Sequence, residues 1–172
     1  MRTPRALSSR LLGSLVALGL LAGGVSTARP VHAAPEAATL AAALQTDEDG
    51  LVQAINQRRT NQGLVPLTTD PMLMQIARQR SQDQVSRHYF SHTAPEGTNI
   101  FDLLGKAQVN FSAAGENLAE SQGQDPVQAA IDAFMYSPAH RDNVLNPGYG
   151  HVGVGAAMSD DGTTLLTVVF TN

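Results

Sequence analysis

The chain has 172 residues, a formal net charge of −4 and no cysteine. The acidic balance argues against nucleic acid or anionic lipid head groups as the main partner. Without disulfides the fold must rest on an apolar core, and the length suits one ordinary domain that can bury such a core unaided.

Met1 to Arg10 carry Arg2, Arg5 and Arg10 and no acid, and the apolar run "LLGSLVALGLLAGGV" follows. Val31-His32-Ala33 then has the small-x-small spacing of a signal-peptidase site. The pattern predicts a secretory leader over 1–33, cleaved near Ala33 or Ala34, an extracytoplasmic location and no membrane anchor after cleavage. All acids lie beyond that point, so the mature chain is more acidic than the whole.

Residues 34–48 are rich in alanine and read as a linker or a loosely attached helix, leaving 49–172 as the folded domain. From Asp49 a helix is expected, with Leu51, Val52 and Ile55 on one face and Gly63 as its stop. "LVPLTTD" should be extended, because Pro66 biases Val65 away from helix. Asp70 followed by Pro71 marks the next helix start. There Leu73, Ile76, Ala77, Ser81 and Val85 should face inward, and Arg78, Gln79, Gln82 and Asp83 outward. "TNIFDLLGKAQ" is a shorter helix. Asp125-Pro126 opens another, with Val127, Ala130, Ile131 and Phe134 at core positions. The period then changes: Val152, Val154, Ala156 and Met158 alternate with small residues, "SDDG" turns, and "TTLLTVVFT" returns as an antiparallel hairpin. Helices followed by a closing hairpin imply an α+β layered domain.

Four histidines follow the leader: His88, His92, His140 and His151. Ser137-Pro138 is a helix-start signal that puts His140 in the first turn of a short helix. The positive end of the helix dipole favours the neutral imidazole, the form that binds metal or accepts a proton. Glu116 sits between Gly115 and Asn117 in an apolar setting, where a carboxylate needs a partner; His92 and His140 are the candidates. His88 and His92 are four apart, but Pro95 and the residues between them suggest a frayed helix and an accidental pairing. His151 opens a strand and suits a hydrogen bond at the rim.

The order "FSHT", "GEN", "SPAHRDNVL", "GVG", preceded by "AINQRRTNQGLVPL", resembles the CAP superfamily (cysteine-rich secretory, antigen 5 and pathogenesis-related 1 proteins), especially its cysteine-free bacterial members. The likeness runs from about Leu51 to Phe170. It implies a three-layer α-β-α sandwich around a mainly antiparallel sheet. It also implies a central cleft of two histidines and two glutamates, which in some members holds zinc or another divalent cation. Position by position, these are His92, Glu116 and His140. Where the family places a Trp and the second glutamate, this chain has Phe134 and Ser137, so one acid is missing. Two imidazoles and a carboxylate suffice for an open zinc site, and the same trio can instead be a hydrogen-bonded core. Ser137 reads as a helix cap at the cleft, and Asn117 as a bond to the backbone around it.

The expected function is a secreted binding module, with no catalytic residues, whose cleft of His92, Glu116, Asn117, His140 and Ser137 takes a divalent metal or a small apolar ligand. The partner is a small ligand, a cell-envelope component or a protein. The alternative is a metal-assisted or serine-type hydrolase outside the cytoplasm, although no G-x-S-x-G or H-E-x-x-H motif is present.

Overall fold

The computed structural model describes residues 33–123 and 125–172. The expected leader lies outside the described residues, apart from Ala33. Nine elements follow in order: α1 Ala33–Thr60, β1 Thr68–Thr69, α2 Pro71–Ser86, α3 Ile100–Lys106, β2 Ala114–Gln122, α4 Pro126–Tyr136, α5 Pro138–Val144, β3 His151–Met158 and β4 Thr163–Thr171. The sheet order is β1-β3-β4-β2; β1 runs parallel to β3, and the other two pairings are antiparallel.

Three layers result. Leu51 and Ile55 of α1, Ile131 and Phe134 of α4 and Val144 of α5 pack on the face of the sheet formed by Val152, Val154, Leu166, Val168 and Phe170. On the other face, Leu73, Ile76 and Ala77 of α2 and Ile100 and Leu104 of α3 enclose Val169. The alternation of β3 serves both layers. Its valines face α1 and α4, while Gly153 and Gly155 leave room for the α2 backbone: a β-carbon on either would collide with main-chain atoms of Leu73, Met74, Ala77 or Arg78.

Two expectations need correction. The helix expected from Asp49 begins at Ala33, so the alanine-rich stretch read as a linker or a loosely attached helix forms the first turns of α1. Pro35 falls in the first turn, where proline is tolerated, and the alanines that follow have the highest helix propensity, so nothing stops the helix there. Glu48, placed in that linker, is 2 % exposed. Its Oε1 accepts the Ala156 N–H at 3.0 Å, and both carboxylate oxygens bond Arg78. Since β1 pairs only with His151 and Val152, the rest of that β3 edge would be open; Glu48 and the Met74 sulfur occupy its amides at Ala156 and Val154. The second correction concerns α2, whose buried stripe continues through Arg80 and Gln84 rather than Val85.

Several local signals hold. Asp70 and Asp125 cap α2 and α4 through their side chains with proline following, and Gly63 ends α1 at φ 73°. Asn99 and Asp102 add a reciprocal capping box to α3. At the end of α2, His88 adopts φ 55°, and Tyr89 N–H returns to the Gln84 carbonyl at 3.1 Å. This Schellman turn sends the chain back toward Arg80. β2 was not legible as a strand beforehand, yet all nine of its residues pair with β4.

Candidate functional site

β2 is an edge strand of the sheet, and the alternation of a strand aims Glu116 and Asn117 at opposite faces. Glu116 meets Arg80 from α2. The two side chains are each 2 % exposed, and Arg80 Nε donates to Glu116 Oε1 at 3.1 Å. Arg80 also donates to the Tyr89 hydroxyl at 2.5 Å and to the Ser91 carbonyl at 2.7 Å. One buried guanidinium therefore supplies the counter-charge a buried carboxylate requires and anchors the segment that carries His92. The Tyr89 hydroxyl passes its hydrogen to Asp83; burial, then that bond, pushes the phenol up to about 12.

His92 Nδ1 lies 2.7 Å from Glu116 Oε2, and its side chain is 57 % exposed. Of the two partners considered for Glu116, His92 is the one bonded. His140 stands on the other side of the strand edge. Asn117 Nδ2 donates to the His140 carbonyl at 3.0 Å, and Asn143 Nδ2 bonds Asn117 Oδ1 at 2.8 Å, which ties α5 to β2. The His140 ring is 6.5 Å from that of His92 and 5.5 Å from that of Phe134, centroid to centroid. Desolvation, then the nearby His92, holds His140 below its ordinary titration range.

Gly115 completes the "GEN" triplet. A β-carbon there would sit 2.6 Å from the Tyr149 hydroxyl and 2.7 Å from Asn143 Oδ1. The three residues have three separate tasks: close approach, the ion pair, and the tether to α5.

An open cleft of about 360 Å³ is lined by His92, Thr93, Ile100, Phe101, Glu116 and Asn143, among others. His140 is not part of that lining. Ser137 occupies the N-cap position of α5, yet its hydroxyl makes no capping bond, so the expected cap is positional only. His151 is exposed at the start of β3, two strands from β2, and His88 serves as the turn after α2. A larger groove of about 710 Å³ runs between α1 and α2, but its charged residues are already engaged, Glu48 with Arg78 and Asp83 with Arg87 and Tyr89.

The donor set does not fit a three-ligand metal centre of His92, Glu116 and His140. Both Glu116 oxygens are engaged, by Arg80 and by His92. Among the described residues, no group of three or more His, Cys, Asp or Glu side chains could hold an ion.

Sequence reasoning missed Arg80, although a signal existed: it follows Leu73 by seven residues and Ile76 by four, and so falls on the buried face. Asn143 and Tyr149 had no such signal, because their roles depend on the approach of α5 and its following loop to Gly115.

Known proteins resemble the chain in sequence and in fold. The chain is 39% identical over 108 residues to the uncharacterized protein YkwD of Bacillus subtilis, a match covering 63% of this chain and 41% of that one. It is 34% identical over 110 residues to the uncharacterized membrane protein YlbC of the same organism, covering 64% and 31%. The match thus spans less than half the length of either relative. An extracellular protein of Bacillus anthracis containing an SCP domain superposes with a TM-score of 0.66 at 28% identity, over 74% of this chain and 41% of that one. An outer surface protein of Borrelia burgdorferi gives 0.65 at 21% identity, over 71% and 89%, a likeness of fold alone. Residues 52–171 match the family model described as "Cysteine-rich secretory protein family", and the chain belongs to that family, CAP.

Proposed function

We propose that this CAP domain works outside the cytoplasm as a non-catalytic binding module, with a small ligand held in the cleft beside His92. One observation carries the reading. The buried acid of the cleft is neutralised within the protein, while the His92 ring and the exposed Phe101 ring, seated on buried Ile100, stay open to a visitor. The leader pattern of residues 1–33 and the relative described as extracellular support the location. Among the described residues, no helix is long and apolar enough to cross a membrane. Native mass spectrometry of the exported protein tests the reading: a co-purified small molecule should be retained by the wild type and lost from His92→Ala and Phe101→Ala.

A second reading, hydrolysis, is favoured by one feature: an imidazole oriented by a carboxylate resembles a general base with its orienting acid. The hydrogen bond of the His92 ring goes to Glu116 and the neighbouring Ser91 hydroxyl is bonded to the Thr93 N–H at 3.2 Å, so the base in this reading activates water. Turnover of peptide, ester or glycan substrates by the wild type, absent from His92→Ala and His140→Ala, would establish this second reading over the first.

A further inference from the structure

The geometry points to Arg80 as the positioning residue that makes His92 a hydrogen-bond acceptor, and through it to an uncharged, hydroxyl- or amide-bearing ligand for the cleft. The ligand half of this inference rests on the binding reading above; the Arg80 half does not.

The argument begins with what each group can do. A guanidinium only donates and an ionised carboxylate only accepts. Arg80 holds Oε1 of Glu116 at 3.1 Å and is itself fixed by the Tyr89 hydroxyl and the Ser91 carbonyl, which leaves Oε2 aimed at His92 Nδ1, 2.7 Å away. Nδ1 must then carry the hydrogen. In the neutral ring the other nitrogen, Nε2, keeps its lone pair, and the ring that carries it is 57 % exposed and lines the cleft. Charge agrees with this polarity. Arg80 and Glu116 cancel, so the buried floor attracts neither an anion nor a cation strongly. The complement of a lone pair on a neutral floor is an O–H or N–H donor. The complement of the Ile100 and Phe101 wall is an apolar or ring face, and the rings of Phe101 and Phe111, 6.5 Å apart, extend that platform.

The tautomer is readable by long-range ¹H–¹⁵N NMR of the imidazoles at about pH 8, where an unperturbed ring is neutral. In the wild type His92 should carry its hydrogen on Nδ1. In E116Q, Arg80 still demands the oxygen, so the amide NH₂ introduced at position 116 turns toward His92. Nδ1 must then accept, and the shifts of the two ring nitrogens exchange places. In R80M/E116Q nothing fixes the amide, and both tautomers should coexist. This double variant carries no unpaired buried charge, so it tests Arg80 without the instability expected of R80M alone; R80K should keep the wild-type pattern. An Nε2–H tautomer in the wild type, or an inversion equally complete in the double variant, overturns the assignment.

Benzyl alcohol, benzoate and benzylamine offer one ring with a neutral, an anionic and a cationic head. Followed by the amide shifts of Gly115 and Asn143, the alcohol should bind the wild type about tenfold more tightly than benzoate, the ratio set by one hydrogen bond gained or denied, and E116Q should reverse the order. Preference of the wild type for benzoate or benzylamine overturns the ligand class. If no probe moves either amide, the binding reading falls with the ligand class, while the nitrogen shifts alone still decide the role of Arg80.

Discussion

The Tyr149 hydroxyl stands 2.6 Å from the point where Gly115 would carry a β-carbon, with Asn143 Oδ1 at 2.7 Å from the same point. Tyr149 is buried and stacks on Phe170 at 5.5 Å, so its ring has little room to retreat. Gly115→Ala should therefore destabilise the domain by about 2 kcal/mol, the range of a core overpacking. It should also move Asn143 and loosen the tether to α5. Urea unfolding checks the first effect, and the Asn143 side-chain amide resonance checks the second.

Arg59 is 1 % exposed and has no acid partner among the described residues; it donates to the carbonyls of Val65, Val144, Asn146 and Tyr149. Replacing it with Met leaves those acceptors unsatisfied. We expect a loss of about 3 kcal/mol, together with loss of amide exchange protection confined at first to residues 144–150. Arg59→Lys, which can reach fewer carbonyls, should fall between. A variant as stable as the wild type would show that water replaces the guanidinium there.

Glu48→Ala should uncover the Ala156 amide on the β3 edge and leave Arg78 without its partner. An unmade buried hydrogen bond costs about 1–3 kcal/mol. An opened strand edge also invites pairing with another chain. Sedimentation at rising concentration should show self-association in the variant and not in the wild type.

His140 titrates below its unfolded value of 6.5, by desolvation first and the neighbouring His92 second. Between the folded value and 6.5, the unfolded chain binds more protons than the native one, so stability rises with pH across that window. The contribution is full above 6.5 and is lost as pH falls through the folded value. Thermal melts from pH 7.5 downward should show this decline, and His140→Gln should flatten it. An identical slope in the variant would assign the effect to another group.

Much of this was legible in the sequence because the signals were local. Asp-Pro at 70–71 and 125–126 fixes two helix starts, and the valine–glycine alternation after His151 fixes a strand. The motif likeness identified His92, Glu116 and His140. What stayed hidden was non-local. β2 has no period-2 pattern because Gly115, Glu116 and Asn117 each serve a contact outside the strand. Glu48 looked like part of an alanine-rich linker because its partners, Arg78 and Ala156, are 30 and 108 residues away. Arg80 drew no assignment, because its role depends on Glu116, 36 residues away on β2.

Neighbouring positions on β2 divide the labour between the two sides of the sheet: 116 reaches α2, and 117 reaches α5. A single-residue insertion or deletion ahead of them within the strand would swing the carboxylate beneath the short helix and the amide toward the guanidinium, exchanging acceptor and donor. Natural variation in this family should accordingly tolerate length changes in the Gly123–Asp125 connection and exclude them between Ala114 and Asn117.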